Sequence, residues 1–136
     1  MARLFRIVAP VSDIERAAQF YEEAFDVRGE RISPGRHYIR LGDVILACVE
    51  SEREGDPKRA GPLPDHIYIA VDDIEAAWAR AKAAGAVYEG LSEPGAGALG
   101  EIAIRPWGER SVYFRDPFDN PLCLVDAATA FTGRKP

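Results

Sequence analysis

Two histidines, His37 and His66, are the side chains best suited to proton transfer in this chain of 136 residues. Imidazole gains and loses its proton near neutral pH, so it serves as a general base or as a hydrogen-bonding group for a ligand. His66 directly precedes the apolar residues 67–71, which have the composition of a strand. Two interpretations follow for His66: a ligand-binding or catalytic residue, or a strand-edge histidine satisfied by the backbone.

Arg6 and Trp107 offer two further modes of ligand recognition. The Arg6 guanidinium carries a fixed positive charge and a planar set of donors that suits a carboxylate, phosphate or enolate oxygen. An ion pair with a local carboxylate is the structural alternative. Trp107 has a flat ring for stacking on an aromatic ligand, and alternatively it covers the edge of the core or a dimer interface.

Both cysteines, Cys48 and Cys123, lie within apolar runs. Two such cysteines do not make a disulfide framework, so reduced and buried thiols are expected. A nucleophilic Cys123 needs a base and a lowered pKa, and no neighbour in the sequence supplies either. Cys123 is therefore interpreted as a small buried thiol.

The composition narrows the classes of partner. Asp and Glu number 22 against 17 Lys and Arg, a formal net charge of −5, and no basic run is present, so nucleic acid is not an expected partner. The longest apolar segments have the length of strands, which argues against a membrane span or a signal peptide and predicts a cytoplasmic protein. One compact domain spanning residues 1–136 is expected.

The elements that position these residues come from an internal repeat. Residues 6–17 align with residues 66–77 at an offset of 60 residues, and each segment reads as a strand that runs into a helix. The identical pairs are Ile7/Ile67, Val11/Val71, Asp13/Asp73, Ile14/Ile74, Glu15/Glu75 and Ala17/Ala77.

The ends of the two helices have recognisable signals. Ser12 with Glu15, and Asp72 with Glu75, have the spacing of a capping box and predict the two helix starts. Gly85 follows the second apolar stripe and is the expected C-terminal cap of the second helix.

Three shorter segments with strand character follow each helix, so each half has the order βαβββ. They are residues about 27–32, 36–41 and 44–49 in the first half, and residues 101–105, 111–115 and 122–125 in the second. Module 1 then covers about 1–50, a charged linker 51–64, module 2 about 65–126 and a tail 127–136. Residues 92–100 are rich in Gly and form either a lid or a plain surface connection.

Three sequence features together resemble a known family. They are the Val-x-Asp-Ile-Glu-x-Ala helix start, the Tyr-Phe-Arg-Asp-Pro-Phe-Asp-Asn-Pro-Leu hairpin at 113–122, and the Pro-Trp-Gly-Glu-Arg segment at 106–110. The chain resembles the glyoxalase/bleomycin-resistance/extradiol-dioxygenase group, the vicinal oxygen chelate superfamily. The resemblance implies an α+β fold in which two βαβββ modules form a curled mixed sheet around a cup, with the helices on the convex side.

The resemblance also implies where a catalytic metal would bind. Family enzymes take ligands from the first and last strands of each module, usually His and Glu, and the corresponding positions here are Arg6, Ala47, His66 and Cys123. Only His66 matches, because Ala47 has no donor atom and Arg6 keeps its proton. No cofactor is therefore predicted, and a divalent metal is expected only with nonstandard ligands.

The alternation of side chains along a strand separates a cup face from a core face. The residues expected to face the cup are Arg6, Val8, Ile45, Ala47, His66, Tyr68, Cys123 and Val125. The residues expected in the core are Ile7, Ala9, Val11, Leu46, Cys48, Ile67, Ile69, Val71, Leu122 and Leu124. His37 and Tyr113 lie on strands of ambiguous facing and are kept as candidate ligand contacts.

These features predict a metal-free small-molecule binding protein of drug-sequestering type, with the ligand held among Arg6, His66, Tyr68 and Trp107. The alternatives are a glyoxalase-type enzyme (isomerase, lyase or dioxygenase) with a nonstandard site, and a scaffold dimer whose cup is filled by its own side chains. A homodimer is expected from the resemblance, and Phe131 in the tail either anchors against a partner or folds back.

Overall fold

Ten strands and two α-helices make up the computed structural model, which describes residues 1–56 and 61–133. Parts of the predicted linker and tail, residues 57–60 and 134–136, lie outside the described residues. Module 1 contains β1 (Arg6–Pro10), α1 (Ile14–Phe25), β2 (Glu30–Ser33), β3 (Arg36–Leu41) and β4 (Val44–Val49). Module 2 contains β5 (Ile67–Val71), α2 (Ile74–Ala84), β6 (Ser92–Glu93), β7 (Gly97–Ala98), β8 (Ala103–Ile104), β9 (Arg110–Arg115) and β10 (Pro121–Asp126).

Each module folds into a four-stranded mixed sheet of the same topology. The strand orders are β1-β4-β3-β2 and β5-β10-β9-β8, with the first strand parallel to the last and the other pairs antiparallel. The α+β fold of two βαβββ modules is thereby confirmed. The small hairpin of β6 and β7 is an addition to module 2. Among the described helices, all are too short or too polar to cross a bilayer.

The predicted capping boxes are wrong by one residue. The N-caps are Asp13 and Asp73, whose side chains accept from the backbone N–H groups that follow them. Each helix therefore starts one residue later than a capping box requires, and Glu15 stands too early to reach back to the cap. Gly85 is confirmed as the C-terminal cap of α2, with a φ of 115°.

The core is shared by both modules and lies between the sheets and the two helices. All ten residues predicted for the core face lie in this cluster or pack against it, so the predicted register is confirmed. The largest side chains that the helices contribute to it are Ile14, Phe20, Tyr21, Ile74 and Trp78. Successive side chains of a strand point to opposite faces of the sheet. The residues that alternate with these core residues therefore lie on the face away from the helices.

A buried polar network joins the modules at the turn between β9 and β10. The Asp116 carboxylate accepts from the Tyr21 hydroxyl of α1 at 2.6 Å, from two backbone N–H groups of the turn, and from the Asn120 side chain at 2.8 Å. The Asn120 amide also donates to the Pro10 carbonyl at the end of β1, at 2.8 Å. Burial raises the pKa of Asp116, and the hydrogen bonds from Tyr21 and Asn120 oppose that rise.

We expect Tyr21→Phe to lower the free energy of unfolding by about 1–3 kcal/mol, because the buried Asp116 carboxylate loses a donor that no water replaces. Urea unfolding followed by circular dichroism measures the change. Tyr88→Phe is the matched control: Tyr88 is only partly buried, and its variant should remain within about 0.5 kcal/mol of the parent. Equal losses in the two variants would contradict the role assigned to this network.

Candidate functional site

An aromatic row lies on the face of the module 2 sheet opposite the core. Tyr68, Cys123 and Tyr113 are direct cross-strand partners on β5, β10 and β9. The Tyr68 and Tyr113 hydroxyls are 3.4 Å apart, and the His66 ring lies 5.0 Å from the Tyr113 ring and 6.0 Å from the Tyr68 ring. The structure therefore brings four of the sequence-predicted ligand contacts together.

His66 lies at one end of this row between two carboxylates. Its Nε2 is 2.7 Å from Oε2 of Glu93, and its Nδ1 is 3.1 Å from Oδ1 of Asp65. The other oxygen of Glu93 accepts from the Arg115 guanidinium at 3.2 Å. A cleft of about 340 Å³ borders these groups. Because a carboxylate only accepts hydrogen bonds, both His66 contacts are made together only when both ring nitrogens carry a proton.

Residues 92–100 pack over this face and are more than a surface connection. Ala96 and Leu99 are buried against Tyr113, Cys123 and Val125. Their packing leaves Tyr113 only 4% exposed and Cys123 fully buried, whereas Tyr68 is 54% exposed. The part of the row that a ligand can reach is therefore Tyr68 with the adjoining His66.

Arg105 holds the hairpin of β6 and β7 against the sheet through hydrogen bonds. Its guanidinium donates to the Ala96, Glu101 and Ser111 carbonyls and lies 4.9 Å from the centre of the Tyr113 ring. The strand predicted for 101–105 is correspondingly reduced to two residues, since the Arg105 backbone turns back to bond the Glu109 carbonyl.

The thiols of Cys48 and Cys123 are unreactive, because both are buried. Burial raises the pKa of Cys123 to about 11 and that of Cys48 to about 12. Burial also raises the pKa of Tyr113. Since the thiolate is the nucleophilic form, Cys123 is a small buried side chain in the site, as the sequence indicated.

The corresponding face of module 1 is basic. Arg6 donates to the Tyr38 hydroxyl at 3.1 Å, and its guanidinium lies 5.1 Å from the Phe5 ring centre and 5.6 Å from that of Tyr38. Among the described residues, no carboxylate forms an ion pair with Arg6. The alternative interpretation of Arg6, as a residue held by an ion pair with a local carboxylate, is therefore not supported by the described residues.

His37 lies away from the other candidates. Its position on β3 is opposite Cys48, a core residue, so it faces the helices. The ring is buried, with Nε2 2.9 Å from Glu22 of α1 and Nδ1 accepting from Arg31 at 3.3 Å. The ambiguous facing of β3 is thus resolved towards the core side for His37.

Trp107 lies at the edge of module 2 and is tied to the tail. Its Nε1 donates to Glu109 at 2.7 Å, and the second Glu109 oxygen accepts from the backbone N–H of Phe131 at 2.7 Å. Phe131 therefore folds back onto its own chain. Tyr68, Glu109 and Phe131 border a cleft of about 320 Å³ together with Ala70, Val125 and Ala130.

The four positions where family enzymes hold a metal do not fit one here. Val8 is opposite Ala47 and Tyr68 is opposite Cys123, so the two modules place these positions in equivalent registers. Ala47 is buried and has no donor atom, Arg6 is a fixed cation, and Cys123 stays protonated. Across the described residues, no group of three His, Cys, Asp or Glu side chains has a metal-binding arrangement.

The fold and this pair of repeated faces define a class of protein. A family model for the glyoxalase/bleomycin resistance protein/dioxygenase superfamily matches residues 3–124. The chain belongs to that superfamily.

Individual relatives agree with this assignment. The chain is 30% identical over 122 residues to virulence protein STM3117 of Salmonella typhimurium, which covers 87% of this chain and 79% of the relative. A glyoxalase-related enzyme from Fulvimarina pelagi superposes with a TM-score of 0.71 at 19% identity, covering 93% of this chain and 88% of that one. Lactoylglutathione lyase from Agrobacterium tumefaciens gives 0.66 at 18% identity, covering 94% and 96%. At these identities the two structures show the shared fold.

Several residues of the site escape the sequence analysis. Glu93 and Arg105 could not be predicted from the sequence, because their positions depend on how the hairpin of β6 and β7 packs over the sheet. Arg40 lies opposite Ile45, as Arg6 does, and Arg115 binds Glu93. A second repeat in the sequence could have located both arginines, because each follows a tyrosine by two residues, as Tyr38-Ile-Arg40 and Tyr113-Phe-Arg115.

We expect Leu99→Ala to expose Cys123 selectively, because Leu99 covers this thiol from the hairpin. A coloured disulfide reagent at pH 8 should modify Cys123 about tenfold faster in the variant, since local opening of the hairpin becomes easier. Cys48, which is buried in the main core, serves as the control within the same molecule. Equal acceleration at both thiols would indicate general destabilisation and contradict the covering role of the hairpin.

Proposed function

We propose that this protein is a metal-independent small-molecule binding protein of the drug-sequestering type. The observation that carries the proposal is that Arg6, Ala47 and Cys123 stand at three of the four positions where family enzymes hold a metal, in equivalent registers of the two sheets. The superfamily includes bleomycin resistance proteins by name, and drug resistance is an outcome that a protein can achieve by binding the drug.

In this proposal the ligand binds at the exposed side of Tyr68. The residues that line the cleft beside Tyr68 include Phe131 and Glu109. Its volume of about 320 Å³ is at the lower end of the range for small-molecule sites. Trp107 does not line the cleft, but its indole N–H donates to Glu109, which does, so its fluorescence can report on a ligand bound there.

One observation favours a catalytic alternative, the contact between His66 and Glu93. A carboxylate that orients an imidazole is a common part of an acid–base site. Here both ring nitrogens are engaged by carboxylates, so neither has a free lone pair while the contacts persist. This arrangement supports binding over proton abstraction as the role of the site.

We expect Tyr68→Ala to weaken the binding of a planar aromatic compound, such as benzamide, by about tenfold, because the ligand loses its exposed aromatic wall. Quenching of Trp107 fluorescence in the presence of EDTA measures the affinity, and Trp107→Phe identifies the signal. Ile104→Ala, which truncates an exposed apolar residue elsewhere in the same sheet, is the matched control. Binding that requires added Zn²⁺, or that survives Tyr68→Ala unchanged, would refute the proposal.

The proposal includes a homodimer. β1 and β5 are edge strands, because each pairs with a neighbour on one side only among the described strands. Leu4 and Phe5, just before β1, are large apolar residues with more than half of their surface exposed. Unpaired strand edges beside exposed apolar side chains favour association with a second copy of the chain.

We expect Leu4→Asp to shift the dimer towards monomer, because a charge at an apolar interface loses its hydration. Sedimentation velocity across a range of protein concentrations measures the change. Ile104→Asp introduces the same charge at another exposed apolar position and should leave the assembly intact. A parent protein that sediments as a monomer at all concentrations would remove this part of the proposal.

A further inference from the structure

The two sheets repeat a pattern of residues on their exposed faces. In module 1, Arg6 of β1 and Arg40 of β3 both lie opposite Ile45 of β4. In module 2, Arg115 of β9 lies opposite Pro121 of β10. His66 takes the place of Arg6, because it comes one residue before Ile67, the partner of Leu122.

The module 2 pair shows what this arrangement binds. Glu93 places one carboxylate oxygen 2.7 Å from His66 and the other 3.2 Å from Arg115, so one carboxylate bridges the two strands. The carboxylate reaches them from the hairpin that covers this sheet. The chain therefore contains its own example of an anion held across this pair of positions.

The module 1 pair has the same placement and no such carboxylate. Arg6 and Arg40 are both exposed, and no hairpin from the described part of the chain lies over the module 1 sheet. Within residues 1–56 and 61–133, neither guanidinium forms an ion pair. Glu30 of β2 lies opposite Tyr38, and among the described residues it forms no ion pair with either arginine.

We propose that Arg6 and Arg40 form a binding site for the carboxylate of a small organic acid. The inference goes beyond the proposed function, because it adds a site for a charged group on module 1, apart from the cleft beside Tyr68. The two arginines are two strand spacings apart, about 9–10 Å between Cα atoms, a span that two guanidinium side chains close around one anion. The Tyr38 ring, which already contacts Arg6, lies beside the site and supplies an aromatic surface for the rest of the ligand.

A carboxylate is the group that fits these donors best. A guanidinium presents paired N–H donors in one plane, which match the two oxygens of a carboxylate. Arg6 is already oriented by its hydrogen bond to Tyr38, so less side-chain freedom is lost on binding. On a face that has no metal ligands at the family positions, the two arginines supply the positive charge.

The test compares benzoate with benzamide, its neutral counterpart, on the full chain. Two-dimensional NMR spectra that include the arginine Nε–H signals follow both titrations at constant ionic strength. The variants are Arg6→Gln and Arg40→Gln, and Arg80→Gln removes the same charge from an exposed position of α2 as the control. Spectra of the free variants report whether each is folded.

We expect benzoate to shift the Arg6 and Arg40 signals and to bind about tenfold more weakly to either site variant, with Arg80→Gln unchanged. Higher salt should weaken benzoate and leave benzamide unaffected. Benzamide that binds as tightly as benzoate, with both insensitive to Arg40→Gln, would overturn the carboxylate site and leave the aromatic cleft standing. Benzoate binding at the arginines without any benzamide binding would support this site and refute the cleft.

Discussion

The buried carboxylate of Asp116 fixes the relation between the two halves of the molecule. A charged group in this position is stable only if hydrogen-bond donors surround it, and its donors come from both modules. Since Tyr21 lies on α1 and Asn120 also binds the end of β1, the β9–β10 turn has one position relative to module 1. The placement of the sheets, and hence of their exposed faces, depends on this contact.

The repeat in the sequence predicts most of the fold. Alternation along β1, β4, β5 and β10 correctly separates the core face from the opposite face. The reason is that an almost wholly apolar set of residues is stable only when it is buried against the core. The capping boxes fail because Asp13 and Asp73 compete with their neighbours for the same role, and the choice depends on where each strand ends. Such single-residue shifts are beyond pattern reasoning.

The site was predicted less completely than the fold. Arg6, His66, Tyr68 and Cys123 follow from register, and the structure places them on the sheet faces opposite the core. Tyr113, whose facing the sequence left open, lies on the same face as Cys123. The cover over Tyr113 does not follow, because the hairpin that supplies it depends on Gly95 and Gly97, with φ values of 81° and 67°, and on the distant anchor Arg105. Glu93 is brought to His66 by the same folding event.

The division of each strand into two faces has a consequence for how ligand preference changes over evolution. Positions 6, 8, 38 and 40 alternate with core positions along β1 and β3, and their side chains do not belong to the buried cluster. Along these strands, one set of alternate residues is therefore available for ligand binding, while the other set stabilises the fold. A combinatorial library randomised at these four positions can sample new specificities from a constant scaffold, in the way that antibody loops vary on a fixed framework.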